Sequence, residues 1–381
     1  MRMKAAKAKE ILQAVLAPAG IVIDGNGDSD IRVRDERFYE RVFARGALGV
    51  GEAYMDGWWE TDRLDVLAEK ALSKDIEFSI NDLSLASRAA LAWGCLAARV
   101  LNQQNERRCL CAAAHYNLDN ELFRSMLDKR MVYSCAYWKN ARTLDEAQEA
   151  KLELVCKKLY LRPGMRVLDI GCGWGSFTRF AAENYGVSVV GITISREQSS
   201  LAEKMCAGLP VQIRLQDYRG LGSDGAFDAA VSLGMLEHVG FKNYRRYMSV
   251  VKRNLKPGAL FLIQTIGGNV SVTDIDAWFN KYIFPRAMLP SVMQIARACE
   301  GIFVIEDWHN FGPDYDKTLM AWFQNLDKNW NKFHGKYGET FYRMWKYYLL
   351  TCAGAFRARK NQLWQIVLSD SGVRGGYVPV R

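Results

Sequence analysis

At 381 residues the chain is longer than one minimal domain, and a 49% hydrophobic share beside 24% charged residues excludes a disordered or fibrous protein. The 51 basic residues against 42 acidic ones leave a formal charge of +9, a surface suited to polyanions such as nucleic acid or an anionic membrane, or simply to solvent. The nine cysteines are scattered and odd in number, and with four histidines they form neither a disulfide framework nor a spaced metal motif, which fits a reducing cytoplasm.

The chain starts with Arg2, Lys4, Lys7 and Lys9, followed by Ile11, Leu12, Val15 and Leu16. Glu10 and Gln13 interrupt what a signal peptide would need as an apolar core, so the spacing predicts a basic amphipathic helix. Such a helix either packs on the body of the protein or rests on anionic lipid. Pro18-Ala-Gly20 ends it, and the turn cluster Asp24–Asp28 precedes a short strand, Ile31–Val33. Helical patterning from Phe38 runs through Gly46, Gly49 and Gly51 into Tyr54-Met-Asp-Gly-Trp-Trp59. Residues 1–75 are expected to form a small N-terminal α+β domain that serves lipid engagement or dimerisation, and 76–110 a helical connector. Its apolar run Leu83–Leu101 is broken by Arg88 and Arg99 and is no membrane span. Residues 111–381 form the remaining, catalytic domain.

In that domain buried-strand runs alternate with helical segments: Arg166–Ile170, Ser188–Thr193, Val211–Leu215, Phe227–Leu233 and Ala259–Ile263. Alternation of this kind predicts an α/β fold with right-handed crossovers and a parallel doubly wound sheet, whose ligands gather beyond the carboxyl ends of the strands. The first strand runs into Asp169-Ile-Gly171-Cys-Gly173-Trp-Gly175, and glycines there let backbone and ligand approach closely. A P-loop would need Gly-Lys-Ser/Thr, which is absent. A nicotinamide site would need a third glycine one place later and an acidic residue after the second strand, where Gly191-Ile-Thr-Ile-Ser195 has none. A sulfonium cofactor has no phosphates to cradle and suits Asp169 just ahead of the glycines. The pattern therefore points to a Rossmann-like, class I S-adenosylmethionine-dependent methyltransferase core.

Several ordered segments resemble the cyclopropane-fatty-acyl-phospholipid synthases in their bacterial two-domain form, relatives of the mycolic acid cyclopropane synthases. They are Gly51–Glu60, Tyr133–Trp138, Asp169–Gly175, Gly191–Gln198, Gly234–Gly240, Asn280–Pro285, Leu289–Val292, Asp307–Gly312 and Cys352–Arg357. The resemblance covers nearly the whole chain. It implies methylene transfer from S-adenosylmethionine to the cis double bond of an unsaturated acyl chain in an anionic membrane, by a homodimer on the inner face of the cytoplasmic membrane. It further implies a carbocation that bound bicarbonate deprotonates. A weak alkene nucleophile needs a dry, aromatic-lined site for this chemistry. Tyr137, Trp138, Trp278, Phe279, Tyr282, Phe284, Trp308 and Trp322 are available, Tyr282 and Phe284 foremost, although core packing explains such rings equally well.

Carried over residue by residue, the cofactor positions are Tyr133, Ser134, Val167, Leu168, Asp169, Ile170, Gly171, Cys172, Gly173, Trp174, Gly175, Thr193, Ile194, Ser195, Gln198, Tyr218 and Arg219. Gln198 takes the place of the missing acidic residue. The bicarbonate cage would be Cys135, Glu237, Gln264, Tyr315 and the backbone near Ile266. Gln264 departs from the histidine of the bacterial synthases; it still donates a hydrogen bond but cannot become cationic. That departure keeps a methyl-branched or methylene product open beside the ring. Asn117 and Asp119 are a lesser departure. Cys352 matches a cysteine once proposed as a nucleophile, a role the mechanism does not need. A soluble amine methyltransferase is the second enzyme reading. Nucleic-acid binding has no supporting motif.

Overall fold

The computed structural model describes residues 5–74, 120–222 and 226–381. The expected connector at 76–110, the Leu83–Leu101 run and the positions Asn117 and Asp119 lie outside the described residues. The chain divides into two compact units.

One unit carries the sheet and comprises the described residues from Asn120 to Thr273 with Arg286–Asp314 and Gln362–Arg381. The rest of the N-terminal region supplies β1 (Arg32–Val33) and β2 (Trp59–Glu60), and this unit supplies the other strands. They are β3 (Arg166–Ile170), β4 (Ser188–Thr193), β5 (Val211–Leu215), β6 (Phe227–Leu233), β7 (Leu255–Gly268), β8 (Val304–Asn310) and β9 (Asn361–Ser369). The sheet order is β5-β4-β3-β6-β7-β9-β8. β3 pairs in parallel with both β4 and β6, so the chain reverses its direction of winding there and opens a crevice at the carboxyl ends of those strands. The first four predicted strands keep their boundaries, and the fifth extends on both sides of Ala259–Ile263. β8 and β9 were not foreseen; they pair antiparallel at one edge of the sheet, whose strands β5, β4, β3, β6 and β7 run parallel. On β7, Gly267 is obligatory: a Cβ there would lie 2.0 Å from the Trp364 ring.

The other unit contains the described N-terminal residues together with Asp274–Pro285 and Tyr315–Asn361. It is therefore assembled from three stretches, not from 1–75 alone. Helix Ala5–Leu16 buries Ala8, Leu12 and Leu16 in a core shared with Phe38, Tyr54, Trp59 and Leu350, so its apolar face is used in packing. Helix His334–Arg357 lies so close to helix Leu64–Ser73 that a Cβ on Gly354 would sit 2.5 Å from the Asp65 carbonyl oxygen. Across this contact Arg357 donates to Asp65 at 2.9 Å, and it also donates to Asp316 of helix Pro313–Asn329 at 2.8 Å. Such sequence-distant contacts leave no local signature, which is why these later segments read as part of the catalytic domain. Among the described residues no helix is long and apolar enough to cross a membrane.

Candidate active site

β3 delivers its last residues to the crevice, and the glycine loop turns back over β4: the Gly171 and Cys172 N–H groups both donate to the Ile192 carbonyl, at 2.9 and 3.0 Å. Gly171, Gly173 and Gly175 all take positive φ, and a Cβ on Gly171 would meet Met235 at 3.0 Å. Beyond this turn is a cavity walled by the ends of β3, β4, β5 and β6 and by the Tyr133-Ser134 segment. Of the cofactor positions taken from the sequence, Tyr133, Ser134, Asp169, Ile170, Gly171, Cys172, Gly173, Trp174, Thr193, Ile194, Ser195, Gln198, Tyr218 and Arg219 line it. Three do not. Val167 and Leu168 point into the packing on the sheet faces, and Gly175 sits against Ala202 and Cys206 at the start of helix Ser176–Tyr185.

The polar groups of the cavity are held in place. Ser195 caps helix Arg196–Met205 by accepting from the Gln198 N–H, and the Thr193 hydroxyl donates to Gln198 Oε1 at 2.9 Å. With its oxygen thus occupied, Gln198 turns Nε2 towards Gly173. Trp174 donates to Asn120 and packs at 4.9 Å on Phe123, which also meets Tyr133 edge-on. Asp169 is buried and accepts from the Thr178 hydroxyl at 2.7 Å. Burial pushes its carboxyl up to about 7, although the Thr178 bond and the Lys151 charge pull it down.

Several residues that line the cavity were not among the cofactor positions taken from the sequence. Lys151, fully buried, donates to Ser134 Oγ at 3.1 Å, and burial lowers its ammonium to about 8. Nothing but its place on the apolar face of helix Leu144–Lys158 marks it. Asp217, directly after β5, holds Arg219 through two hydrogen bonds of 2.8 and 2.6 Å. Its position at a strand's carboxyl end was a legible signal. Gly234 and Met235 follow β6 in the same way. His238, beyond the carboxyl end of the same strand, also lines the cavity; burial lowers its imidazole to about 4, so it is neutral at pH 7.

Beside the cavity the carboxyl ends of β6 and β7 gather a second group. Glu237 Oε1 accepts from the Ile266 N–H at 2.7 Å, while Oε2 is buried and without a hydrogen-bond partner among the described residues. Burial raises this carboxyl to about 7 against the pull of the Ile266 bond. Gln264 pairs with Leu233 across the strands, and its Nε2 lies 3.4 Å from the Cys135 carbonyl oxygen. The buried Cys135 thiol donates to the Ala136 carbonyl at 3.2 Å. Cys135, Glu237, Gln264 and Ile266 thus come together. Tyr315 belongs to the other compact unit, where its ring packs on Phe356 at 4.7 Å and Trp322 at 5.9 Å. Cys352 is in that unit as well, and burial pushes its thiol up to about 12.

The aromatic candidates separate into the two units. Tyr137 meets Phe311 and His309 edge-on, Trp138 N–H donates to Asp314, and Trp308 packs on Trp364. In the other unit Trp278 is buried against Gly51 and Met55, the Tyr282 hydroxyl donates to Glu52 at 3.0 Å, Phe279 and Phe284 contact Tyr348, and Trp322 is buried. No cluster of metal-ligating side chains exists among the described residues.

Residues 103–366 match the family described as mycolic acid cyclopropane synthetase. The chain belongs to that family. It is 52% identical, over 96% of its length and 94% of the relative's, to a cyclopropane-fatty-acyl-phospholipid synthase of Escherichia coli K12. Among solved structures, the cyclopropane synthase MmaA2 of Mycobacterium tuberculosis superposes with a TM-score of 0.64 at 29% identity, covering 68% of this chain and 97% of the other. Mycolic acid cyclopropane synthase CmaA1, complexed with SAH and CTAB, gives 0.63 at 30% identity, with 68% and 97% covered. This member of the cyclopropane synthetase family is an S-adenosylmethionine-dependent methyltransferase.

Proposed function

We propose that this chain transfers the methyl carbon of S-adenosylmethionine to the cis double bond of an unsaturated acyl chain in a membrane phospholipid and closes it to a cyclopropane ring. The observation that carries this is the near full-length identity to the Escherichia coli cyclopropane-fatty-acyl-phospholipid synthase. The local chemistry agrees with it. The Tyr133-Ser134 segment, Asp169, Gln198 and Arg219 orient the cofactor in a cavity with Trp174 and Met235 in its wall. An alkene attacks the sulfonium methyl, the C–S bond breaks, and a carbocation is left on the acyl chain. Loss of one proton from the transferred methyl then closes the ring.

The cluster at Glu237 has the donors that a small anion needs. Gln264 Nε2, with a second N–H, is one, and Glu237 Oε2 is another when its carboxyl, raised to about 7, carries a proton; the Cys135 thiol, donating to the Ala136 carbonyl, would join them by turning. Bicarbonate held there by these groups would supply the base for the last proton. Cys352 has no part in this reaction. The enzyme works as a homodimer in the cytoplasm, at the face of the membrane.

The test is mass spectrometry of fatty acids from cells grown with labelled methionine, expressing this chain or Glu237→Ala. A gain of one CH2 without an olefinic signature, absent in the variant, is expected. A methyl-branched or methylene lipid would keep the cofactor and substrate but replace the ring, with Gln264 the first residue to change. Turnover of a soluble amine with no labelled lipid would refute the proposal.

A further inference from the structure

Described residues with large exposed apolar side chains are few, and four of them converge at one place: Val270, Val272, Val292 and Met293, with exposures of 69%, 37%, 50% and 60%. They come from two segments, the stretch that follows β7 and the first turn of helix Val292–Cys299. The segments are fastened together. Gly268 N–H donates to the Pro290 carbonyl at 2.9 Å, the Ser271 and Ser291 hydroxyls share a 2.6 Å hydrogen bond, and Gln294 Nε2 donates to the Val272 carbonyl at 2.9 Å. The patch is therefore a built surface, not a set of stray side chains. Exposed apolar side chains of this kind are normally covered by something.

Charge tells what covers it. Helix Val292–Cys299 packs beside helix Tyr244–Asn254, whose Arg245 donates at 2.7 Å to the Glu300 carbonyl. The outward face of that neighbour is basic: Arg245, Arg246 and Arg253 are exposed, preceded by Lys242, and the helix contains no acidic residue. An apolar patch beside a cationic helix face is the surface an anionic lipid bilayer recognises. Reach agrees with this. β7 carries Gln264 and Ile266 and ends at Gly268, roughly 13 Å along the strand from Gln264, and the patch starts two residues beyond that end. That is about the depth of one leaflet of a ~30 Å hydrocarbon core, the length over which a single acyl chain extends.

We infer that Val270, Val272, Val292 and Met293 insert into the surface of an anionic phospholipid bilayer, with the basic face of helix Tyr244–Asn254 on its headgroups, and that this contact delivers the acyl chain to the end of β7. The inference rests on the lipid substrate proposed above. The experiment uses the full-length protein, dioleoylphosphatidylcholine vesicles with and without dioleoylphosphatidylglycerol, and the same lipids dispersed in detergent micelles. Val270→Glu/Met293→Glu is expected to lower vesicle partitioning at least about tenfold, because two apolar side chains are withdrawn from lipid and charged ones put in their place. Turnover in vesicles falls with it, while turnover in micelles and S-adenosylmethionine affinity stay at the wild-type level. Arg245→Gln/Arg246→Gln should weaken binding only to the anionic vesicles, by roughly fivefold per charge at low salt. Wild-type vesicle binding by the Val270/Met293 variant would overturn the inference, as would a wild-type dimer that this variant converts to monomers without loss of lipid binding. Vesicle binding that depends on the patch, with no turnover of lipid in either form, would leave the docking surface standing and sink the proposed substrate instead.

Discussion

Gln365, on β9, donates its side-chain amide to Gln264 Oε1 at 2.9 Å, and both residues are buried. The bond occupies the oxygen of Gln264 and leaves its Nε2 directed towards Cys135 and the Glu237 cluster. Gln365 is thus a positioning residue: it makes an uncharged side chain present a donor, as a cationic histidine would. Gln365→Leu frees Gln264 to turn its oxygen inwards, towards a bound anion. It should lower kcat by about 10–100-fold and raise the bicarbonate concentration needed for half-maximal rate, with the KM for S-adenosylmethionine unchanged. Steady-state rates across a bicarbonate series check this. A loss that is the same at every bicarbonate concentration would mean that Gln365 is only part of the packing.

Glu237 offers a sharper contrast between two substitutions. Its Oε1 is satisfied by the Ile266 N–H, and Oε2, buried and without a hydrogen-bond partner within 3.5 Å among the described residues, can act as a donor only while protonated. With the carboxyl raised to about 7 by burial, the donor form is lost as pH rises through 7. Turnover limited by this group should therefore fall on the alkaline side of neutrality. Glu237→Gln retains a donor and should keep at least about tenfold more activity than Glu237→Ala, with the alkaline fall removed. A Glu237→Gln variant as inactive as Glu237→Ala would assign Glu237 to the ionised form.

Asp169 titrates in the opposite functional sense. Its carboxyl is raised to about 7 by burial, so part of the free enzyme carries it protonated at neutral pH. A sulfonium cofactor favours the ionised form, and binding must then release a proton. Affinity for S-adenosylmethionine should rise with pH up to about 7 and level off above it, with a slope approaching tenfold per unit on the acid side. Calorimetry in buffers of different ionisation enthalpy measures the proton directly. Asp169→Asn should bind more weakly and with no pH dependence in this range.

What could be read from the sequence follows the range of the contacts involved. β3 to β6 were legible because each is a short apolar run bounded by turn residues, and the glycine loop because positive φ at Gly171, Gly173 and Gly175 demands glycine. The pairing of Gln264 with Gln365 was not, since the two residues are 101 positions apart and Gln365 matches none of the segments that carry the resemblance. β8 and β9 escaped because Asp307, His309 and Gln365 interrupt the apolar pattern; Asp307 is held by Lys158 and Arg381, an arrangement visible only in the fold. Val167 and Leu168 entered the cofactor set with the matching run that ends at Gly175, whereas alternation along a strand turns their side chains to opposite faces of the sheet.

The segment Cys352–Arg357 shows how a matching motif can serve the fold instead of the chemistry. The Cys352 thiol, pushed up to about 12 by burial, is not a nucleophile at neutral pH, and Cys352→Ala should leave kcat within about threefold of wild type. Arg357, five residues on, is the ion-pair centre of its unit: it joins Asp316, Asp65 and Glu69, and Asp65 is only 2% exposed. Arg357→Met leaves Asp65 with Arg63 alone and should destabilise by on the order of 2 kcal/mol, less than a fully buried pair because Arg357 is partly exposed. The pH dependence gives the mechanism a signature. Burial opposes ionisation of Asp65, but its bonds to Arg63 and Arg357 outweigh it, so the folded-state pKa lies below the ordinary carboxylate value. That contribution is present in full above about pH 4 and is lost as pH falls through the folded-state value. Thermal melts should accordingly separate wild type from Arg357→Met at pH 7 and draw the two together in acid. A Tm difference that persists unchanged into strong acid would trace the loss to the packing of the arginine stem and not to its charge.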